Sequence, residues 1–305
     1  MTIKGILVTM VASMADHIAN GGEKILGNAS SIKIRMDGRV YISGQKQRHA
    51  LFAAMDRLNE NADTFVSNGD GITNLVEKDL RADLGGFLHT SRDSYSGRRM
   101  APVTATPAVA RKKSNVSRDL LVRLKVNQSV EARDQALATR EFSDDDEMVM
   151  SFHIDVGAVG IRKKHKYDND MHVKTEYVPH IDEAERKRRI ALTLESSNSL
   201  NDYANNARNA TSGEPNQVLI IFDTKLSRKA IRYFNAGTIE RQNILTELKS
   251  RNAIYFLGDD TVEPDNEITT VAQAYKNAMK YLDTADLYNP AKGERIQTTA
   301  EFEGA

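Results

Sequence analysis

The chain of 305 residues contains no cysteine and no tryptophan. Without cysteine it can form neither a disulfide bond nor a thiolate metal site or nucleophile, which fits a cytoplasmic location. Aromatic residues make up 6% of the sequence, so extensive stacking of nucleic-acid bases is not the expected mode of binding. No apolar run reaches membrane-spanning length, and the first residues alternate like a strand rather than resembling a signal peptide. We therefore expect no membrane partner.

The chain also lacks an excess of either charge, because 42 basic side chains are balanced by 42 acidic ones. A net charge of zero argues against free binding to bulk nucleic acid but leaves room for a local basic surface. In residues 111–146 the positive and negative side chains are separated along the sequence. The first limb is basic, and the return limb at 141–147 carries five acids. The few apolar residues between them cannot form a core, so we expect this segment to project from the domain.

Residues 39–51 are predicted to run from a short strand directly into a helix. Residues 39–42 alternate, and Ser43 stands where an N-cap is expected before a periodic apolar stripe. The first turns also carry an amide and two cations, Gln45, Lys46 and Arg48. Free N–H groups, the positive end of the helix dipole and these side chains together favour phosphate binding. An ordinary strand–helix corner with solvated basic residues has the same spacing, so both interpretations stay open on spacing alone.

Hydrophobic periodicity predicts an α+β chain. The predicted strands are 3–14, 39–42, 148–156, 218–222 and 253–257, with an edge or bulged strand in 101–110. The predicted helices are 44–58, 73–81, 182–207, 239–248 and 271–282. Two strand–helix–strand units separated by an insertion match the split β-α-β, ferredoxin-like plan that RNA-recognition domains share. We expect one domain over 1–305, a charged loop at 161–174 and a loose C-terminal tail at 289–305.

No motif for catalysis or cofactor binding is present. The sequence has no phosphate-binding Walker loop, no dinucleotide fingerprint and no nucleophile elbow. The seven histidines show no paired ligand spacing, and the acidic run Asp144–Asp146 is typical of a solvated turn. We therefore predict no metal, no cofactor and no catalytic residue.

Several segments in a fixed order carry a family resemblance. They are residues 3–14, 39–51, 79–87, 99–107, 141–142 and 151–157. In these segments the chain resembles the backbone subunits of type I CRISPR Cascade complexes. Those subunits form the Cas-seven branch of the RAMP superfamily, and the resemblance is to its DevR-like, type I-B group.

The resemblance implies an RRM-like core whose insertion, residues 111–146, forms a projecting thumb hairpin. It also implies a non-catalytic subunit that grips guide RNA (crRNA) by its phosphates and polymerises along it as a helical filament. The target DNA strand would pair with the guide, and large, small, cap and RNA-processing subunits would complete this antiviral complex. Independently of the resemblance, charge complementarity suggests that the acidic limb could meet a basic surface on the next copy, for which residues 162–166 are a candidate.

The candidate RNA-binding residues come from four places: the first helix, the end of the polar loop 90–99, the basic limb, and the loop after the second core helix. They are Ser43, Gln45, Lys46, Arg48, Arg98, Arg99, Lys112, Lys113, Arg118, Arg208 and Asn209. Two other functions remain open. One is a metal-dependent endoribonuclease of the RAMP type, for which the first loop offers Asp16 and Asp37. The other is a stand-alone DNA-binding regulator, although no helix-turn-helix signature is present.

Overall fold

The computed structural model describes residues 1–24, 30–60, 63–88, 97–125, 134–206, 209–265 and 267–304. Its strands are β1 (Thr2–Ile3), β2 (Gly5–His17), β3 (Glu23–Lys24), β4 (Ser30–Ser31), β5 (Tyr41–Ile42), β6 (Phe87–Leu88), β7 (Arg98–Arg99), β8 (Val103–Ala105), β9 (Ala108–Ala110), β10 (Val116–Lys125), β11 (Asp134–Asp155), β12 (Ile161–Asp168), β13 (Met171–Pro179), β14 (Gln217–Asp223), β15 (Ile254–Asp259), β16 (Ile268–Thr269) and β17 (Asp286–Leu287). Its helices are α1 (Gly44–Leu58), α2 (Leu80–Gly85), α3 (Glu183–Ser197), α4 (Thr238–Ser250), α5 (Val271–Thr284) and α6 (Thr299–Glu303), with 3-10 turns at Val156–Ala158 and Lys229–Asn235. Within these ranges, no helix combines the length and hydropathy that crossing a bilayer requires.

The main sheet is built on β2, which pairs antiparallel with β11 on one side and with β14 on the other. Strands β8 and β9 pair antiparallel with the far edge of β11, and β15 extends the sheet beyond β14. Helix α1 lies between β2 and β8 in the chain, and α3 lies between β11 and β14. This order is the split β-α-β plan, so the predicted α+β, ferredoxin-like core is confirmed.

Strand β2 is apolar on both faces because both faces of the sheet are covered. Ile6 and Val8 belong to the core under α1, α3 and α5. Leu7 and Val11 face the other way and pack under residues 229–250. An RNA-recognition domain stacks bases on the open face of its sheet. Here that face is occupied by protein, so it cannot stack bases in this way.

Strands β10 and β11 form the predicted hairpin, in which all ten residues of β10 pair with β11. A buried network ties its base to the core: Ser114 Oγ donates to one Asp146 carboxylate oxygen (2.6 Å), and His17 Nε2 lies 2.9 Å from the other. Burial alone would raise the pKa of Asp146, but His17, Ser114 and Ser143 hold that pKa below its ordinary value. The hairpin is therefore anchored on the first core strand. Its assignment as a thumb stays a prediction.

A second hairpin, β12–β13, replaces the charged loop predicted at 161–174. Asp168 pairs with Met171, so Asn169 and Asp170 form a two-residue turn with φ values of 48° and 63°. Two successive positive φ values define a type I′ turn, which matches strand twist and which Asn and Asp tolerate. The Asn-Asp pair was the local signal, and the surrounding run of charges obscured it.

Two predicted helices have different bounds. The short helix begins at Leu80 instead of residue 73, because the Asp79 carboxylate accepts from the N–H of Arg81 and caps it there. Helix α3 has the expected cap, Asp182, but ends at Ser197 instead of residue 207.

The structure also corrects the loose tail predicted for 289–305. Phe302 is buried, Thr299 Oγ1 donates to Glu77 (2.5 Å), and His180 Nδ1 lies 2.7 Å from the carbonyl oxygen of Gln297. Short turns and α6 give this segment few periodic signals, but its side chains dock on the body of the protein.

Candidate nucleic-acid interface

Helix α1 begins with the predicted N-cap. Ser43 has extended backbone angles (φ −60°, ψ 150°), and its Oγ accepts a hydrogen bond from the backbone N–H of Lys46 (3.2 Å). Among the described residues, the N–H groups of Gly44 and Gln45 have no acceptor. Ser43 and Gln45 are exposed, and Lys46 is half-buried. The turn therefore offers free donors and a cation at the positive end of the helix, as phosphate binding requires.

Arg48 is held in a defined position on the same helix. One terminal nitrogen donates to the carbonyl oxygen of Gly85 at the end of α2, and the guanidinium carbon lies 5.9 Å from the centre of the Phe52 ring. Burial lowers the pKa of Arg48 and of Lys46, yet an arginine in a protein stays charged. A cation that is already immobilised loses little side-chain entropy when it binds an anion.

Arg98 and Arg99 are both predicted RNA contacts, and the structure separates them. Arg98 is exposed on β7, whereas Arg99 is buried and donates to the Asp83 carboxylate and to three backbone carbonyl groups. Burial alone would raise the pKa of Asp83, but Arg99 and Arg189 hold that pKa below its ordinary value. Neighbouring strand residues point to opposite sides. Arg99 is thus corrected from an RNA contact to a buried ion-pair partner.

The basic limb of the β10–β11 hairpin keeps only part of its charge free. Lys112 and Lys113 are exposed, and no carboxylate of the described residues lies within 4 Å of either. The Arg118 guanidinium is also exposed but donates twice to Glu141, at 3.0 and 2.8 Å. Two lysines at the base of the hairpin therefore present unneutralised charge, and Arg118 is half of a surface ion pair.

Part of the acidic limb of this hairpin pairs within its own chain. Glu147 lies 3.3 Å from Arg111, and Asp146 belongs to the buried network at the hairpin base. Arg162 is itself buried and lies 3.1 Å from Glu303. Other members of both groups, among them Asp145 and Lys163, are exposed and form no ion pair with a described residue. A contact between these acids and residues 162–166 of another copy therefore stays a prediction.

Arg208 lies outside the described residues, and Asn209 is placed against the end of β2. The Asn209 side-chain amide donates to the backbone carbonyl oxygen of Asp16. Nearby, Arg140 Nη1 donates to Asn205 Oδ1 at 3.4 Å. The loop after α3 thus joins the end of β2 and the root of the long hairpin. Arg140 was missed by the sequence analysis, although a lone cation beside an acidic run was a usable signal.

The two candidate cleavage aspartates lie in different settings. Asp37 is bonded to Arg39, whose Nε lies 2.8 Å from Asp37 Oδ2. Asp16 is exposed at the end of β2, with a φ of 46°. In the part of the chain that the structure describes, no three His, Asp or Glu side chains are arranged to hold a metal ion.

The β12–β13 hairpin is a second exposed basic element, which the sequence analysis did not select as an RNA contact. Lys163 is exposed over the Tyr177 ring, 5.7 Å from its centre. Lys166 and Lys174 share one partner, Glu176, at 2.8 and 3.0 Å. The hairpin carries more lysines than acids on its strands, so it is the second place where a polyanion could contact the surface.

Comparison with known proteins relates this chain to a family and its fold to solved structures. A family model described as "CRISPR-associated negative auto-regulator DevR/Csa2" matches residues 28–212. A chain of a "CRISPR RNA-guided surveillance complex" is similar in structure, with a TM-score of 0.57, 12% identity, and coverage of 90% of this chain and 98% of that chain. A chain of a "CRISPR RNA-guided surveillance complex, pre-nicking" gives a TM-score of 0.60 and 11% identity, with coverage of 91% and 99%.

No protein with a curated description matches the chain in sequence. At such low identities the two structural matches show the fold alone. The family model, in contrast, spans more than half of the sequence, from residue 28 to residue 212. The chain therefore belongs to the CRISPR-associated DevR/Csa2 family.

Proposed function

We propose that this chain is a non-catalytic backbone subunit that binds guide RNA in a CRISPR RNA-guided surveillance complex of the Cascade type. Copies of it line up along the crRNA as a helical filament, and the target DNA strand pairs with the guide. Large, small, cap and RNA-processing subunits complete the complex, which works in the cytoplasm for antiviral defence. The observation that carries the proposal is the match of residues 28–212 to the DevR/Csa2 family, and the fold match to chains of such complexes, which covers 98% and 99% of them, agrees with it.

The first turns of α1 supply the chemistry. Ser43, Gln45, Lys46 and Arg48 sit on consecutive turns beside two free N–H groups, so they can hold phosphate oxygens without reading a base. Both faces of the main sheet are covered, so the bases are not bound there. Binding to the phosphates of the RNA backbone leaves the bases free to pair with the target. Base pairing then provides the sequence specificity, as it does in other RNA-guided effectors.

The long hairpin β10–β11 is proposed as the thumb. Lys112 and Lys113 at its base carry free charge, and the Ser114–Asp146 bond fixes that base on the core. Arg98, Arg208 and Asn209 remain proposed contacts at its margins. Charge complementarity of this kind sets orientation and register more than affinity.

The test is co-purification. The chain is expressed with its complex partners and a guide, and the ratio of absorbance at 260 nm to that at 280 nm and the size of any bound RNA are measured. RNA with repeat-derived ends is expected in the multi-copy assembly. An intact assembly that contains protein but no RNA would refute the proposal.

A charge-matched pair of variants sharpens the test. Arg48→Gln should weaken binding equally for any RNA sequence and reduce the log–log salt slope by roughly 0.7 per copy, the value of one phosphate contact on a single strand. Arg57→Gln removes the same charge from the same helix, but Arg57 is half-exposed and already paired with Asp202, so it should leave the slope unchanged. Loss that depends on RNA sequence would show that Arg48 reads bases.

Two further measurements separate the alternatives. Incubation with Mg²⁺ or Mn²⁺ should yield no RNA fragments, and fragments that vanish in Asp37→Ala or Asp16→Ala would establish a ribonuclease instead. The family description contains the words "negative auto-regulator", so duplex DNA is tested without guide. Tight binding to a defined duplex by the isolated chain would favour the regulator.

A further inference from the structure

Two arginines share one aromatic ring near the start of α1. The guanidinium carbon of Arg81, on α2, is 5.1 Å from the centre of the Phe52 ring, and that of Arg48 is 5.9 Å from the same centre. Gly85 makes this approach possible, because a Cβ there would stand 3.1 Å from Arg48 Nη2 and 3.1 Å from the Phe52 ring. The two guanidinium groups and the ring therefore form one cluster between α1 and α2.

The described residues provide no carboxylate partner for this cluster. Within the described residues, no carboxylate lies within 4 Å of either guanidinium, and the Arg81 guanidinium makes no hydrogen bond. The Nε atoms of Arg48 and Arg81 are both buried without a hydrogen-bond acceptor. Arg81 as a whole has only 9% of its surface exposed. An arginine as buried as Arg81 is normally paired. The other deeply buried arginines among the described residues all donate to carboxylates, to carbonyl groups or to both: Arg99, Arg162, Arg186 and Arg189.

The electrostatics point in the same direction. Burial lowers the pKa of Arg81, and the positive charge of Arg48 lowers it further, against an opposing effect of Asp79. The pKa of His49 is also lowered, by burial and by the nearby charges of Lys46 and Arg81. Nearby aspartates oppose these effects, but the pKa of each group stays below its ordinary value, and an incoming anion would favour the charged form.

We propose that Arg81 and Arg48 together form an anion site whose occupant is a phosphodiester group of the guide RNA. The guanidinium fork is suited to this, because each arginine can present two parallel N–H groups to phosphate oxygens. The loop before α2 holds Arg81 in place: a Cβ on Gly69, which has a φ of +101°, would collide with Arg81 Nη1. Only the identity of the occupant depends on the function proposed above.

The first experiment uses the RNA-free chain and inorganic sulfate or phosphate as the probe. The melting temperature is compared with that in chloride of equal ionic strength, for the wild type, Arg81→Gln, Arg48→Gln and Arg57→Gln. Anion binding to the folded state should raise the wild-type Tm in a concentration-dependent way. General salt effects act on all four proteins, so the informative quantity is the rise in Tm in sulfate or phosphate beyond that in chloride. The wild type and Arg57→Gln should show this rise, whereas Arg81→Gln and Arg48→Gln should not.

A purely structural role for Arg81 gives a different result. If Arg81 only supports the fold, Arg81→Gln should melt several degrees lower without any added anion. If it is half of an unoccupied anion site, the change relieves repulsion and the RNA-free Tm is no lower than that of the wild type. A several-degree loss, or an anion shift that persists in Arg81→Gln, overturns the proposal.

The second experiment uses the assembled complex with guide RNA. Arg81→Gln should reduce the salt slope by roughly 0.7 per copy, as one phosphate contact does. Since both arginines hold the same phosphate, the double variant should lose roughly 0.7 and not roughly 1.4. An additive loss would show two separate contacts. If the wild type carries no RNA, the proposed function fails. If it carries RNA and the Arg81 slope is unchanged, only this inference fails.

Discussion

Replacing Arg99 by glutamine tests whether this residue stabilises the protein interior, as the structure indicates, or contacts RNA, as the sequence predicted. The Arg99 guanidinium donates to the Asp83 carboxylate and to the carbonyl groups of Asp83, Ala158 and Ile161. Its side chain is 4% exposed, and that of Asp83 is fully buried. Glutamine cannot carry the charge or span these acceptors, so Asp83 keeps only Arg189 as a cationic partner and buried carbonyl groups lose their donor.

Breaking a buried ion pair by removing one partner costs about 3–5 kcal/mol. At about 2 °C per kcal/mol for a chain of this size, the Tm of Arg99→Gln should fall by about 6–10 °C. Thermal unfolding followed by circular dichroism measures this directly. Arg98→Gln is the matched control: it removes the same charge from the exposed neighbour, and its stability should change by less than about 0.5 kcal/mol.

Binding assays complete the comparison. At a temperature where both variants are folded, Arg99→Gln should keep the wild-type salt slope for guide RNA. If Arg99→Gln melts like the wild type and loses RNA, the buried cluster is not what holds Arg99, and the reasoning is refuted.

Two other predictions follow from buried contacts. Burial lowers the pKa of His153 from 6.5 to about 4, so the unfolded chain takes up a proton before the folded chain does, and the free energy of unfolding should fall by up to about 1.4 kcal/mol per pH unit from pH 6.5 towards 4. Urea titrations at several pH values should show a flatter dependence for His153→Leu, and an unchanged dependence would contradict this origin. Replacing residues 118–140 by a short Gly/Ser linker, which spares the buried Ser114 anchor, should leave a folded, soluble subunit that no longer forms ordered filaments on guide RNA in electron micrographs. Filaments of normal length would show that this hairpin is not the thumb.

Local sequence predicted the parts of the site that depend on local structure. Ser43 precedes an apolar stripe, so its role as N-cap could be read from neighbouring residues and is confirmed. The cap of helix α3 could be predicted in this way, but its buried face could not. Its buried face carries Arg186 and Arg189, whose partners are Val156, Asp83 and other groups far away in the chain. A charge is expected at the surface unless its partner is known, and the partner here is set by tertiary packing.

The same limit applies to the binding surface. Arg99 looked exposed because it ends a polar loop, and Arg81 drew no attention because it lies in a short helix. Only the packing of α2 against α1 brings Arg81 to the Phe52 ring beside Arg48. The strand pattern of β12–β13 was hidden by charge, although the Asn169-Asp170 turn was visible in the sequence.

Strand β11 has a consequence for how the length of the long hairpin can change. It is continuous over 22 residues, which at about 3.3 Å per residue corresponds to roughly 70 Å. The inner part of β11 lies in the main sheet, and the strand continues without a break into the projecting part of the hairpin, here called the arm. The length of the arm is therefore set by the number of residues in its strands. Two residues added to each limb would extend the arm by about 7 Å and keep every side chain on its side. A single added residue would turn the outer part of the arm over, so variation in its length should proceed in even steps.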